Sequence, residues 1–122
     1  MSKERLIAVI DDDGPFRAAL VELISSTTSG ARGYASAEEF LASHDAHLYD
    51  CIIADIHMPG MSGIELLQIL DSRELHTPVI LITAHIDSGL EATLQSTNVI
   101  CLLGKPFGPD ALIACLEKAL TA

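Results

Sequence analysis

Short apolar runs alternate along this chain with longer segments whose apolar residues recur at helical spacing. Runs that are apolar throughout are typical of strands buried on both faces, as in parallel sheets. Strands that alternate with helices predict an α/β fold built on a doubly wound parallel sheet. The clear runs are Leu6–Ile10, Cys51–Ala54, Val79–Ile82 and Val99–Leu103, and Ala31–Ala35 is a weaker candidate strand.

A helical pattern follows each predicted strand. Two of these patterns open on a Gly-Pro pair, with proline at a position that the first turn of a helix allows. Two others open on a capping box of the Ser-x-x-Glu type. The start signals are Gly14-Pro15, Ser36–Glu39, Ser62–Glu65 and Gly108-Pro109, and a weaker helical pattern covers Asp87–Ser96.

Length and charge limit the class of protein. The chain has 122 residues, of which 49% are hydrophobic, so we expect a single domain over residues 1–122. A net charge of −10 without a basic run speaks against direct binding of nucleic acid or of an anionic membrane.

The early apolar run is too short for a membrane span or a signal peptide. The three cysteines lack CxxC spacing, as expected of reduced core thiols in a cytoplasmic protein.

Polar residues follow four of the predicted strands directly. The first strand runs into Asp11-Asp12-Asp13, and the third runs into Asp55. The fourth runs into Thr83, and the fifth runs into Gly104-Lys105. Because parallel strands end at the same edge of a sheet, where such folds bind ligands, we expect these side chains to lie close together.

Carboxylates gathered at one edge repel each other, and a divalent cation with oxygen ligands, such as Mg²⁺, relieves that repulsion. A lysine and a threonine nearby supply a positive charge and a hydroxyl donor for an anion. This set of groups indicates phosphoryl transfer, in which a carboxylate can carry the phosphoryl group covalently. Each residue alone also has a structural interpretation: Asp13 as a helix cap, Asp55 as a turn residue, Thr83 as a strand former and Lys105 as a solvated loop residue.

Along almost its whole length, the sequence resembles the receiver domain of bacterial two-component response regulators. The pattern Asp-x-x-Met-Pro-x-Met-x-Gly after a buried strand is a specific signal, and a late Lys-Pro-Phe strengthens it. The stretch Thr83-Ala84-His85 is most similar to nitrogen-fixation-type receivers, which precede a helix-turn-helix output domain. The matching residues are Ile10-Asp11-Asp12, Asp55 with His57–Gly63, Val79–Ala84 and Lys105-Pro106-Phe107.

The resemblance implies a flavodoxin-like fold with strand order 2-1-3-4-5 and five helices. It implies that Asp55 is the phosphoacceptor, which takes a phosphoryl group from the phosphohistidine of a sensor histidine kinase. Asp12 would bind Mg²⁺ directly and Asp11 mainly through water, with Asp55 and the backbone carbonyl of His57 as the remaining protein ligands. Such a domain is not a conventional enzyme, although it catalyses its own phosphorylation and dephosphorylation.

The resemblance also assigns the other two site residues. Thr83 would donate to a phosphoryl oxygen, and Lys105 would pair with the carboxylate before reaction and with the phosphoryl group after it. Phosphorylation would switch the face formed by the last helices and strand, toward a homodimer or a downstream protein.

The chain departs from the family pattern at three positions on this output face. Leu102 replaces the usual aromatic switch residue, Asn98 stands where a glycine is usual, and Gly104 precedes the lysine. We expect Leu90, Leu94 and Leu102 to provide apolar surface there.

Two other functions are consistent with parts of the sequence. In a phosphatase of the haloacid-dehalogenase type, Asp11 would be the nucleophile and Asp13 the general acid, but the Asp55 motif would have no role. In an interaction module that has lost phosphorylation, the acidic residues would remain as a destabilising cluster. Mg²⁺ that raises the melting temperature would speak against the second alternative.

Overall fold

The computed structural model describes residues 5–27, 30–86, 88–94 and 97–121, without the side chain of Ser88. Strands and helices alternate through it as predicted. The strands are β1 (Leu6–Ile10), β2 (Gly30–Tyr34), β3 (Cys51–Asp55), β4 (Val79–Thr83) and β5 (Val99–Gly104). The helices are α1 (Gly14–Ser25), α2 (Ala37–Ala42), α3 (Gly63–Ser72), α4 (Ser88–Leu94) and α5 (Pro109–Leu120). A short 3₁₀ helix, Ala46–Leu48, lies between α2 and β3.

All the strands run parallel in the order β2-β1-β3-β4-β5, which confirms the order that the resemblance implied. After β1 the chain forms β2 on one side of it and then returns to form β3 on the other side. This reversal opens a crevice at the carboxyl ends of β1 and β3, where ligands bind in doubly wound folds.

Burial explains which strands were easy to recognise. The central strands β3 and β4 are buried at every residue, so their sequences are apolar throughout. The edge strand β2 has the sequence Gly-Ala-Arg-Gly-Tyr, and only Tyr34 in it is buried. The other four residues of β2 are half-buried or exposed, so this strand has no continuous apolar run.

Apolar side chains form a layer on each face of the sheet. One layer lies under α1 and α5, and the other lies under α2, α3 and α4. Cys51 and Cys115 are free thiols in the first layer, and burial raises the pKa of each to about 12. Both therefore stay protonated and behave as small apolar residues.

The helix start signals form as predicted. Asp13 Oδ1 accepts from the backbone N–H of Phe16 at 3.1 Å, so Asp13 caps α1. Ser36 Oγ accepts from Glu39 N at 3.0 Å at the start of α2. At α3 both halves of the capping box form, between Ser62 and Glu65.

The region of α4 corrects one sequence prediction. Leu94 is only 7% exposed and belongs to the layer under α2–α4, so the expectation that it forms surface is wrong. Leu90 and Leu102 are half-buried against the same layer. The helix is amphipathic, and its leucines face the sheet. Asp87 and Ser96, the ends of the predicted helix, lie outside the described residues.

Within the described residues, no helix combines the length and the apolar character that a crossing of the bilayer requires.

Candidate functional site

Three carboxylates meet at the carboxyl edge of the sheet. Asp11 and Asp12 follow β1, and Asp55 is the last residue of the neighbouring β3. A carboxylate oxygen of each lies within 4.8 Å of the others. Asp11 and Asp55 are buried, with 1% and 6% exposure, whereas Asp12 is exposed to solvent. The cluster thus consists of two buried carboxylates, Asp11 and Asp55, and one carboxylate, Asp12, on its solvent side.

Both carboxylate oxygens of Asp55 have a hydrogen-bond donor. Oδ1 accepts from the backbone N–H of His57 at 2.9 Å, and Oδ2 accepts from Lys105 Nζ at 2.8 Å. The first donor belongs to the loop that follows β3, and the second comes from the end of β5. The carboxylate is therefore held in one orientation at the mouth of the crevice.

The ammonium group of Lys105 serves two carboxylates. Besides its contact with Asp55, Nζ lies 3.5 Å from Asp11 Oδ2 and 4.3 Å from the centroid of the Phe16 ring. Burial alone would lower the pKa of Lys105, but the hydrogen bond to Asp55 and the charge of Asp11 outweigh burial and raise this pKa. The lysine therefore carries a full positive charge at neutral pH and can bind an anion at this site.

The surroundings of Asp11 destabilise its ionised form. Burial raises its pKa, and the neighbouring charges of Asp55 and Asp12 raise it further, against the opposing effects of the Asp13 N–H and of Lys105. Oδ1 accepts from Asp13 N at 2.9 Å, whereas the buried Oδ2 has no hydrogen bond among the described residues, only the ion pair with Lys105. A buried oxygen without a donor beside two more carboxylates fits a hard divalent cation.

The backbone of Asp11 is held by residues that the sequence did not single out. Its N–H donates to the carbonyl of Tyr34 at 3.1 Å, and its carbonyl accepts from Arg17 Nη1 at 2.7 Å. The aliphatic stem of Arg17 lies against Gly33, where a Cβ would come within 3.0 Å of it. Neither Arg17 nor Phe16 belongs to a motif, and no local pattern could have revealed these contacts.

The hydroxyl of Thr83 is fully buried beneath the loop between β4 and α4. Oγ1 donates to the carbonyl of His85 at 3.1 Å and accepts from the N–H of the same residue at 3.2 Å. The structure thus places Thr83 at the predicted edge, with its hydroxyl bound to the loop. The side chains of His57 and His85 are exposed on the two loops that border the cluster.

Replacement of Asp11 by asparagine should stabilise the metal-free protein at neutral pH. Because the folded state raises the pKa of Asp11, its carboxyl favours folding while protonated, below the ordinary value of 3.8. That contribution is lost as the pH rises through the raised pKa, and the ionised group then destabilises the fold. Asparagine carries no charge at any pH and keeps the acceptor for Asp13 N.

Urea unfolding of both proteins in chelator, from acid to neutral pH, measures this difference. The free energy of unfolding of Asp11→Asn should exceed that of the wild type at neutral pH, and the gap should close in acid. A variant less stable than the wild type at neutral pH would contradict the expectation.

Comparisons with known proteins place this geometry among signalling domains. A family model described as the response regulator receiver domain matches residues 7–117. The transcriptional regulatory protein FixJ of Bradyrhizobium diazoefficiens is 32% identical over 120 residues, which are 98% of this chain and 58% of FixJ. FixJ of Azorhizobium caulinodans is 36% identical, over 93% of this chain and 54% of its own length. This chain therefore spans little more than half the length of these relatives.

Solved structures agree with these matches. The response regulator StyR superposes with a TM-score of 0.89 at 32% identity, over 98% of this chain and 60% of StyR. The crystal structure of FixJ-N gives a TM-score of 0.85 at 28% identity, over 98% of this chain and 96% of that one. The chemotaxis protein CheY4 of Vibrio cholerae, at 22% identity and a TM-score of 0.88, shares the fold.

Proposed function

This chain belongs to the response regulator receiver domain family, and from that premise we propose that Asp55 accepts a phosphoryl group in a Mg²⁺-dependent reaction. The contact that carries the proposal is the 2.8 Å bond between Lys105 Nζ and Asp55 Oδ2, inside a cluster of three carboxylates. A nucleophilic carboxylate, a fixed cation and a set of oxygen ligands are the parts that phosphoryl transfer needs. Residues 1–122 act as one receiver domain.

Asp11, Asp12 and Asp55 hold the metal in this proposal, together with the backbone carbonyl of His57. Bound Mg²⁺ supplies positive charge that offsets the charge on the phosphoryl oxygens. The support for it is the donor set itself, which consists of hard oxygens and includes the Asp11 Oδ2 that has no hydrogen bond in the described structure.

The remaining residues orient the carboxylate and receive the phosphoryl group. An oxygen of Asp55 forms the new O–P bond as the N–P bond of a kinase phosphohistidine breaks, and the imidazole leaves. Lys105 then pairs with a phosphoryl oxygen in place of the carboxylate. Thr83 donates to another phosphoryl oxygen. For this contact to form, the two hydrogen bonds between the Thr83 hydroxyl and the backbone of His85 must break.

A sensor histidine kinase is the partner that membership of this family implies, and we place the domain in the cytoplasm, where such kinases carry their phosphohistidine. The domain promotes its own phosphorylation and dephosphorylation but turns over no separate substrate. When Thr83 releases the backbone of His85, the loop between β4 and α4 can change conformation and alter the surface formed by α4, β5 and α5. That surface would then bind a second copy of the chain or a downstream protein.

Phosphorylation by a small phosphodonor tests the proposed function. We expect the wild-type chain incubated with acetyl phosphate and Mg²⁺ to gain one phosphoryl group by intact mass spectrometry, and none when a chelator replaces Mg²⁺. Borohydride reduction of the acyl phosphate followed by peptide mapping should place the label on Asp55. A label on Asp11 would instead support the phosphatase-type alternative.

His57 and His85 should change how long the phosphoryl group persists. Both side chains are exposed on the loops that border Asp55 and Thr83, from which an imidazole can reach a water molecule that attacks the phosphoryl group. We expect the decay rate of the phosphorylated His57→Ala, His85→Ala double variant to differ from that of the wild type. A decay rate equal to that of the wild type would remove both residues from the reaction.

Leu102 should not act as the switch that an aromatic residue provides in relatives. It is half-buried against the layer under α2–α4, and turning it outward would expose part of the apolar area that is worth ~1.5–3 kcal/mol for a fully buried leucine. By contrast, the Thr83 hydroxyl already binds the loop, and Ile86 on that loop lies 3.2 Å from where a Cβ of Gly104 would be. Movement of the Thr83 hydroxyl on phosphorylation therefore changes the loop between β4 and α4 directly, without a rotamer change of Leu102.

NMR of the phosphorylated protein measures the difference. The amide chemical-shift changes on phosphorylation should be larger across Thr83–Asp87 than the methyl shift changes of Leu102. Asp87 itself lies outside the described residues. Exchange of the Leu102 methyls between a buried and an exposed environment would contradict this expectation.

A further inference from the structure

Glu38 contacts the loop that follows Asp55, although it belongs to a different element. It lies in the first turn of α2, with an exposed side chain. Its Oε2 accepts from the backbone N–H of Met61 at 3.1 Å, across 23 residues of sequence. Met61 lies in the loop between β3 and α3, which contains the proposed metal ligand His57.

Gly60 leaves room for this contact. Its φ of +77° lies in the left-handed region, which residues with a Cβ rarely adopt. A Cβ at this position would also overlap with Oε2 of Glu38. The glycine thus serves the turn and, at the same time, lets the carboxylate reach the backbone of the loop.

The other hydrogen bonds of the loop lie near its ends. The N–H of His57 donates to Asp55 Oδ1 at 2.9 Å at the beginning. At the end, Gly63 N donates to the carbonyl of Ile56 at 3.0 Å, and Ser62 N donates to Glu65 Oε1 at 3.0 Å. Ile56 N also donates to the carbonyl of Ile82 on β4 at 2.8 Å. These bonds join the loop to itself, to β4 and to α3, whereas the bond to Glu38 joins it to α2.

We propose that Glu38 is a positioning residue for the metal site, acting through the β3–α3 loop. A backbone carbonyl has no rotatable side chain, so the position of the His57 carbonyl is set by the conformation of its loop alone. The same loop orients Asp55 through the N–H of His57. A bond that restrains the loop therefore lowers the entropy lost when both ligands are held around a cation.

This inference rests on the proposed function for the identity of the cation, and three variants test it. Glu38→Ala removes the acceptor, and Glu38→Gln keeps an acceptor oxygen without the charge. Glu39→Ala is the matched control, because Glu39 is an exposed glutamate in the same turn, and the bond it makes to Ser36 uses its backbone N–H.

The first measurement is the Kd of Mg²⁺ by isothermal titration calorimetry. We expect Glu38→Ala to bind Mg²⁺ more weakly than the wild type by up to about tenfold, because the bond exists without the metal and only the restraint it places on the loop contributes to the Kd. Glu38→Gln and Glu39→Ala should stay close to the wild type. The second measurement is hydrogen exchange in metal-free protein, where the Met61 amide should exchange faster in Glu38→Ala than in the other proteins.

Each result bears on the inference directly. An unchanged Kd in Glu38→Ala would overturn it, as would an equal loss in Glu39→Ala, which would reveal an effect of net charge. If Glu38→Gln lost as much affinity as Glu38→Ala, the hydrogen bond would not be the cause. A wild-type chain that binds Mg²⁺ but takes no phosphoryl group would contradict the proposed function and leave the comparison of Kd values intact.

Discussion

Replacement of Asp55 by asparagine is expected to abolish phosphoryl incorporation from acetyl phosphate. The amide has nearly the size of the carboxylate, and its oxygen can still accept from the His57 N–H. It has no anionic oxygen, however, so it cannot attack phosphorus. Because the shape is kept, the loss should be complete without unfolding of the domain. Intact mass spectrometry after incubation with acetyl phosphate and Mg²⁺ measures it.

Asp13 offers the matched control for this substitution. It carries the same charge at the same edge of the sheet, and its structural role is to cap α1. Asparagine caps helices as well as aspartate does, so Asp13→Asn changes the charge while it keeps the cap. We expect this variant to incorporate phosphate like the wild type. Retention of the label by Asp55→Asn would refute Asp55 as the acceptor.

Magnesium is expected to stabilise the wild-type fold strongly and the Asp12→Ala variant weakly. At a Mg²⁺ concentration about 100 times the Kd, linkage predicts a gain of about 2.7 kcal/mol in the free energy of unfolding. Asp12 is exposed, so its truncation should cost the metal-free fold little while it removes one ligand. Most of the gain should therefore disappear in the variant.

Urea unfolding of each protein with Mg²⁺ and with chelator measures these gains, and Asp13→Asn again serves as the control. Equal stabilisation of the wild type and Asp12→Ala would exclude Asp12 as a ligand. No stabilisation of the wild type by Mg²⁺ would support the interaction module that has lost phosphorylation.

The site was largely predictable because its residues follow buried strands. The runs before Asp11, Asp55 and Thr83 are apolar throughout, and they are strands of one parallel sheet. Parallel strands that share a sheet must end at a common edge, so the position of each residue along its own strand was enough to bring them together. The strand order came from the family resemblance, since no local pattern records which strands become neighbours.

Side-chain contacts between distant segments could not be predicted in the same way. The bond from Glu38 to Met61 and the bond from Arg17 to Asp11 link residues that carry no periodic or capping signal for these contacts. The burial of Leu94 likewise depends on how α4 lies on the sheet, because its sequence position is compatible with either face.

By itself, the sequence determined the alternation of elements, the helix caps and the set of polar residues at the carboxyl edge. These depend on local interactions, namely side-chain periodicity and hydrogen bonds within a few residues. Only the tertiary structure decided that Lys105 bridges Asp55 and Asp11, that Asp11 keeps a buried oxygen without a hydrogen bond in the described chain, and that the Thr83 hydroxyl is bound to its loop. The first two features depend on distances between segments far apart in the chain, which exist only once the sheet has assembled. The bonds between Thr83 and His85 join residues two apart and depend on the conformation of the loop between β4 and α4.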